Sequence, residues 1–179
     1  KNKRSAADLG RQFSGKGLTE KRYIAVLSGK LKDTEGTLID YIKKTAGKNI
    51  SEIVPDDEKG SKRAVLEYSV IRESDCGETA GTGRDKTEEY KGVKSLVHIR
   101  LLTGRHHQIR LQMAHAGAGI WGDTKYNPLF SGMKSRGGYG LALFADSLTF
   151  QHPASGKKMS FSAEPGMEIS GHFNTDGKI

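Results

Sequence analysis

The order of strand-like and helix-like segments limits the folds open to this chain more than any other feature of its sequence. The strand-like segments, marked by β-branched, aromatic or alternating apolar residues, are 22–27, 64–71, 96–102, 141–150 and 159–163. They do not alternate regularly with helices, as the crossovers of a parallel sheet would require. The sequence therefore predicts an α+β fold with a mixed, mostly antiparallel sheet and flanking helices.

Two helices are predicted beside these strands. The first begins at Ser5, where a Ser-Ala-Ala-Asp stretch has the pattern of a capping box, and ends at Gly15 and Gly17. The second covers residues 106 to about 116 and stops at Gly117. The length of 179 residues fits one domain, in which the polar stretch 73–92 is predicted to be a surface insertion and residues 166–179 a C-terminal tail.

The chain is basic, with 29 Lys and Arg against 21 Asp and Glu and a net charge of +8. Because each neutralised phosphate releases counterions, this excess suits a phosphate-backbone partner such as RNA; the alternative is a protein whose lysines are merely solvated. No apolar run approaches the roughly 20 residues of a membrane helix, so no membrane partner is predicted. The single cysteine, Cys76, excludes an internal disulfide and a Cys-based zinc knuckle and favours the reducing cytoplasm.

Positive side chains gather where the strand 96–102 gives way to the second helix. The helix start favours anions through its unpaired N–H groups, and Arg105 and Arg110 add permanent charge. From the residues alone, capture of a phosphate or carboxylate and capping of a core carboxylate by one arginine are equally supported. His106, His107 and His115 lack the spacing and partners of a metal site, so no metal is predicted.

The stretch TGRHHQIR, followed by GDTKY, resembles the signature of the RluA-like, ribosomal large-subunit type of RNA pseudouridine synthase. The segments KRYIAVLSG, KRAVLEYSVI and LALFADSLTFQHPASGKKMSFSAEP resemble further segments of this family in the same order. The resemblance implies that residues 1–165 are the C-terminal part of a pseudouridine synthase catalytic domain.

The resemblance also implies roles for individual residues. Tyr23 matches the tyrosine that stacks on the target base and is a candidate for proton abstraction, and Arg110 matches the arginine that pairs with the catalytic aspartate. Without the resemblance, Tyr23 would be interpreted as a core aromatic residue in a buried strand. The predicted substrate-binding residues are Arg105, His107, Ile109 and Leu111. Arg105 is expected to contact either an RNA phosphate or the protein framework.

The family's nucleophile is an aspartate in an Arg-Leu-Asp motif that precedes the matched tyrosine. No Arg-Leu-Asp occurs in the 179 residues, and counting back from Tyr23 to its place passes Lys1. Neither Asp8, in the first helix, nor Asp123, in the GDTKY segment, stands in for it. The expectation is that the motif is encoded upstream of Lys1 and that the printed chain alone is inactive.

The implied reaction breaks the bond between a uridine and its ribose, rotates the base and rejoins it through carbon, with no metal or organic cofactor. The implied partner is RNA, with ribosomal RNA favoured over transfer RNA; no DNA or membrane is expected, and a cytoplasmic monomer is favoured. Two alternatives remain open. One is a non-catalytic RNA-binding module, and the other is an enzyme that holds a phosphorylated metabolite at Arg105 and Arg110.

Overall fold

The computed structural model describes residues 2–16, 19–76, 92–132, 140–166, 169, 171 and 172. Its helices are α1 (Lys3–Arg11) and α2 (Gln108–His115), with a π-helical turn at Gln12–Lys16 and a 3-10 turn at Pro128–Phe130. Its strands are β1 (Glu20–Ser28), β2 (Glu35–Lys44), β3 (Ser51–Ile53), β4 (Lys62–Cys76), β5 (Gly92–Leu101), β6 (Leu143–Gln151) and β7 (Lys158–Ser162).

The strands form one seven-stranded sheet in the order β3-β2-β4-β5-β1-β6-β7. Every pairing between these strands is antiparallel. The predicted α+β class with a mostly antiparallel sheet is confirmed. No helix within the described ranges is long and apolar enough to cross a membrane.

The strand β1 lies near the middle of the sheet because both of its faces are apolar. Its side chains alternate between two core clusters on opposite faces, with Ala25 and Leu27 in one and Ile24 and Val26 in the other. Burying a side chain such as Leu27, which is 0% exposed, contributes roughly 1.5–3 kcal/mol. The α2 helix covers the first cluster through Ile109 and Met113, so this face of the sheet carries the candidate site.

Each strand-like segment that the sequence revealed corresponds to a strand, but β2 and β3 were missed. The β2 strand combines a largely exposed Ile39 with Asp40, which faces the same side as Leu38 and Ile42. This mixture breaks the regular apolar–polar alternation by which a half-buried strand is recognised. The β3 strand has only three residues, too few for any periodicity.

The helix boundaries need correction. The α1 helix begins at Lys3, and its cap is Asn2, whose side chain accepts a 2.8 Å hydrogen bond from the Ser5 N–H. The capping box predicted at Ser5 is therefore wrong, since Ser5 lies inside the helix. The cap is Asn2 instead, and Asn caps helices as well as Ser does. Helical turns continue through Gly15 to Lys16, while Gly17 lies outside the described residues.

The second helix starts later than predicted, since α2 begins at Gln108, and Arg105 and His106 precede it. The predicted insertion 73–92 begins within β4 and ends in β5; its remaining residues, 77–91, lie outside the described part of the chain.

A glycine turn places the segment after α2. Gly122 has a φ of 76°, and a Cβ built there would overlap the carbonyl oxygen of Gly140. A side chain at this position would be both strained and blocked by backbone. Gly122 therefore allows the sharp turn after Trp121 that directs Asp123 towards α2.

Candidate functional site

The centre of the candidate site is an ion pair between α2 and the turn that follows Gly122. Arg110 donates from Nε to Oδ2 of Asp123 at 2.8 Å and from Nη2 to Oδ1 at 2.5 Å. The Asp123 side chain is 0% exposed and that of Arg110 is 16% exposed. This parallel two-bond geometry fixes the plane of the guanidinium group.

Asp123 is held by more than the arginine. Its Oδ1 also accepts hydrogen bonds from the backbone N–H groups of Lys125 at 2.9 Å and Tyr126 at 3.2 Å. Burial by itself would raise the pKa of this carboxyl group, but the hydrogen bonds and the charge of Arg110 outweigh it, so the pKa lies below its usual value. Asp123 is therefore an ionised carboxylate at neutral pH.

Tyr126 connects this pair to the edge of the sheet. Its ring lies 5.1 Å from the guanidinium carbon of Arg110, a cation–π distance. Its hydroxyl accepts a 2.8 Å hydrogen bond from the Ser51 N–H in β3 and lies 2.8 Å from Nδ1 of His107. The Nδ1 atom of a neutral His107 accepts a hydrogen bond from the Tyr126 hydroxyl. Tyr126 therefore connects β3, its own turn and the start of α2.

His107 has an unusual backbone conformation. It is the N-cap of α2 and, among the described residues, the one non-glycine residue with a positive φ, at 55°. Left-handed backbone at such a residue is uncommon and is maintained by its surroundings. Here the ring stacks on His106 at 3.9 Å between centroids, and His106 bonds Ser51 Oγ at 2.8 Å.

The titration of His107 predicts acid sensitivity. Burial, assisted by the charge of Arg110, lowers its pKa to about 4 from the ordinary 6.5. A folded-state pKa below the unfolded value means that protons bind the unfolded chain more tightly, so stability falls as the pH drops from 6.5 towards 4. We expect His107→Asn, which suits left-handed backbone and does not titrate, to remove about 1 kcal/mol of the loss between pH 7 and pH 5.

Urea unfolding of both proteins at the two pH values measures this difference. His172, whose pKa is also lowered to about 4 by burial, remains in both proteins and contributes equally to each. A loss of stability that is identical in the parent and in His107→Asn would contradict the assignment to His107.

Arg105 lies just before α2 in a polar framework. Its Nε donates to the carbonyl oxygen of Arg63 at 2.9 Å, and its backbone N–H donates to Oε1 of Gln108 at 2.9 Å. The same Gln108 oxygen accepts from the Thr103 hydroxyl at 2.8 Å. Arg105 thus has a framework contact, and it lines a cleft together with His106.

Tyr23 lies on β1, paired with Ile99 of β5 and with Ala145 of β6. It is half-buried and packs against the core cluster that includes Ile109, and burial raises the pKa of its hydroxyl. No hydrogen bond joins Tyr23 to Arg110 within the described ranges. The structure therefore places Tyr23 on the sheet face that α2 covers, outside the hydrogen-bond network of Arg110 and Asp123.

The two predicted pocket residues of α2 lie in different surroundings. Ile109 is 5% exposed in the core cluster, whereas Leu111 is only partly buried. Residues two apart on a helix do not share a face, so the two side chains project from different sides of α2, and the substrate-binding role predicted for them stays a prediction.

Sequence reasoning assigned no role in the site to Ser51, Asn49 or Tyr126, and it excluded Asp123 as the nucleophile. The signal available for Asp123 and Tyr126 was the GDTKY segment, in which they stand three residues apart. Nothing local marks Ser51 or Asn49, which reach His106 from β3 and the turn before it. The roles predicted for Tyr23 and Arg110 stay predictions.

Comparison with known proteins gives consistent matches. A family model described as RNA pseudouridylate synthase matches residues 1–115. The tRNA pseudouridine synthase C of Haemophilus influenzae is 32% identical over 155 residues, which are 85% of this chain and 61% of that protein. The dual-specificity RNA pseudouridine synthase RluA of Haemophilus ducreyi is 32% identical over 159 residues, or 88% of this chain and 63% of that protein. The chain thus spans less than two thirds of these relatives.

Solved structures are similar in fold. Human RNA pseudouridylate synthase domain containing 1 superposes with a TM-score of 0.65 at 17% identity, covering 92% of this chain and 61% of that one. Human RNA pseudouridylate synthase domain containing 4 gives 0.64 at 18% identity, covering 94% and 66%. At these identities the likeness concerns the fold alone.

Proposed function

Because this chain belongs to the RNA pseudouridylate synthase family, we propose that it is part of an enzyme that isomerises uridines of structured RNA to pseudouridine. The observation that carries the proposal is the family match over residues 1–115, a range that includes both Tyr23 and Arg110. In the proposed reaction the uridine leaves its stack, at a cost of a few kcal/mol, and its base packs on Tyr23. An aspartate attacks as a covalent nucleophile.

Arg110 is suited to hold that aspartate ionised, because a neighbouring cation favours the carboxylate form. Its Nε and Nη2 donate hydrogen bonds to Asp123, while its Nη1 makes no hydrogen bond to any residue that the structure describes. Asp123 therefore orients the guanidinium group and leaves one side of it for a second carboxylate. We assign Arg110 the catalytic role and Asp123 a positioning role.

The nucleophile is proposed to lie in an Arg-Leu-Asp motif outside the printed 179 residues, which contain none. On this proposal the printed polypeptide is an RNA-binding module, and only a longer protein is an enzyme. A start codon directly before Lys1, with no such motif upstream, would contradict it.

The preferred substrate is ribosomal RNA, as the resemblance implied, with transfer RNA as the competing substrate. The relatives above are named as a transfer-RNA enzyme and as a dual-specificity enzyme, so both RNAs belong in the assay. We further propose that the protein acts in the cytoplasm as a monomer. Release of tritium from RNA carrying tritium at uridine C5, catalysed by a protein that includes the upstream motif, tests the enzymatic proposal.

RNA binding by the printed chain is tested through its salt dependence. We expect the dissociation constant to rise steeply with salt concentration, and Arg105→Ala to lower the slope of the logarithmic plot by about one unit. The control is Arg100→Ala on β5, since Arg100 pairs with Glu67 at 3.0 Å on the other face of the sheet. Competition by small phosphorylated metabolites, with no retention on RNA, would instead favour the metabolite enzyme.

A further inference from the structure

A second polar feature lies beside the candidate site. A cleft of about 280 Å³ separates the hairpin of β2 and β3 from the segment that leads into α2. Three cations, Lys44, Lys62 and Arg105, line it, together with Ser51 and His106. The cleft therefore has a basic wall.

The cations of this cleft are not neutralised by the protein. In the described part of the chain, no ion pair involves any of the three. The neighbouring Lys43, by contrast, is paired with Glu58 at 2.5 Å. A cleft lined by charge of one sign concentrates the electric field and attracts ions of the opposite sign. The expected occupant is an anion.

The size of the cleft restricts that anion. Pockets for drug-sized ligands measure roughly 300–1,000 Å³, so a cleft of about 280 Å³ lies just below that range. A phosphodiester group with part of its sugar fits this volume. Gly104 lines the cleft beside Arg105, and the space that a side chain would take there is occupied by Nζ of Lys21 and the carbonyl oxygen of Phe13.

The cleft is connected to Tyr23 through Lys21. The Nζ atom of Lys21 lies 3.2 Å from the position that a Cβ on Gly104 would occupy, and it donates to the carbonyl oxygen of Phe13 at 3.0 Å. Lys21 and Tyr23 are two residues apart on β1 and hence lie on one face of the sheet. Positive charge therefore extends from Lys44 across Arg105 to the neighbourhood of Tyr23.

We propose that this cleft is a phosphate subsite that binds the backbone of the RNA beside the nucleotide at Tyr23. Lys44, Lys62 and Arg105 neutralise the phosphate, while Ser51 and His106, which bond each other at 2.8 Å, form part of the wall of the cleft. The inference rests on the proposed function, because it assumes that the target base lies at Tyr23.

Adjacent lysines of β2 provide a matched test. Lys43 and Lys44 point to opposite faces of the strand, one towards Glu58 and the other into the cleft. In the 179-residue chain, we expect Lys44→Ala and Lys62→Ala each to weaken binding to a structured RNA about 3- to 10-fold at low salt. Each should also reduce the logarithmic salt slope by roughly 0.7–0.9. Lys43→Ala should leave both quantities unchanged.

Two further measurements make the outcome unambiguous. Lys44→Arg keeps the charge and should bind RNA like the parent, and circular dichroism checks that each variant is folded. If the parent binds RNA with a steep salt slope while Lys44→Ala and Lys62→Ala behave like Lys43→Ala, the cleft is not a phosphate subsite, though the proposed function stands. If the parent binds RNA without salt dependence or not at all, both proposals fail.

Discussion

Replacement of Arg110 by alanine is expected to destabilise the folded chain by about 3–5 kcal/mol, because it leaves a buried carboxylate without its counter-ion. Asp123 is 0% exposed and is held by two hydrogen bonds from Arg110. Domains of this size are stable by only roughly 5–15 kcal/mol, so the loss is a large fraction of the total stability. Urea unfolding at neutral pH measures the loss.

The double variant Arg110→Met with Asp123→Asn separates loss of the pair from loss of packing. Asparagine keeps an oxygen for the N–H groups of Lys125 and Tyr126, while both charges are removed. Replacing a buried ion pair by uncharged groups of similar volume is often neutral, so most of the lost stability should return. If Arg110→Ala alone costs less than about 1 kcal/mol, the pair does not hold α2 against the turn.

The pH dependence of the same variant provides a second check. In the parent, the pKa of Asp123 is lowered, so the stability it contributes is present above the unfolded value of 3.8 and is lost as the pH falls through the folded value. Without Arg110, only the backbone N–H groups of Lys125 and Tyr126 still oppose the effect of burial, so the pKa of Asp123 rises relative to the parent and the variant gains less stability than the parent as the pH rises. The stability difference between parent and variant should therefore shrink in acid and be widest near neutral pH.

Strands were predictable from the sequence where their pattern of apolar and polar side chains is regular. The β1 strand was recognised because its centre, Ile24 to Leu27, is apolar on both faces, and β5 because His98 and Arg100 alternate with apolar residues. The β2 strand was missed because its apolar residues are shared between a buried and an exposed face. A strand is recognised in sequence by the apolar side chains that it buries, and most side chains of β2 are at least partly exposed.

The candidate site was predictable only in part, for a different reason. The TGRHHQIR motif predicted roles for Arg105, His107 and Arg110, but the partners of such residues depend on the tertiary fold. Tyr126 bonds the backbone of Ser51, 75 residues away in sequence, and His106 bonds the same residue from 55 residues away. Such contacts arise from the packing of β3 against the start of α2, and sequence spacing contains no record of that packing.

The predicted start of α2 was wrong because of the backbone conformation of His107. The sequence suggested that His106 and His107 belong to the first turn of the helix, whereas His107 has left-handed backbone and ends the preceding segment. Propensities do not favour histidine there strongly enough to reveal it. The stacking of the two rings and the hydrogen bond to Tyr126 stabilise a conformation that local sequence does not specify.

The second large effect concerns activity: the printed chain should bind RNA and form no pseudouridine, even at high protein concentration. The carboxylates near α2 are already engaged. Asp123 is fully buried and accepts four hydrogen bonds, and Asp40 accepts bonds from Gln112 and His115 at 2.8 Å each. Asp8 lies on α1 and bonds Arg11 and Gln12.

Tyr23 and Arg110 cannot replace a nucleophilic carboxylate. Arginine remains protonated and has no lone pair for attack. Burial raises the pKa of the Tyr23 hydroxyl above its ordinary value of 10.0, so it stays protonated at neutral pH. A protein that carries an Arg-Leu-Asp segment ahead of Lys1 should form pseudouridine, and the same protein with that aspartate changed to asparagine should bind RNA equally well and be inactive. Mass spectrometry after chemical derivatisation of the treated RNA distinguishes these proteins. Pseudouridine at catalytic yield from the printed chain alone would mean that Asp8, Asp40 or another of its own carboxylates is the nucleophile.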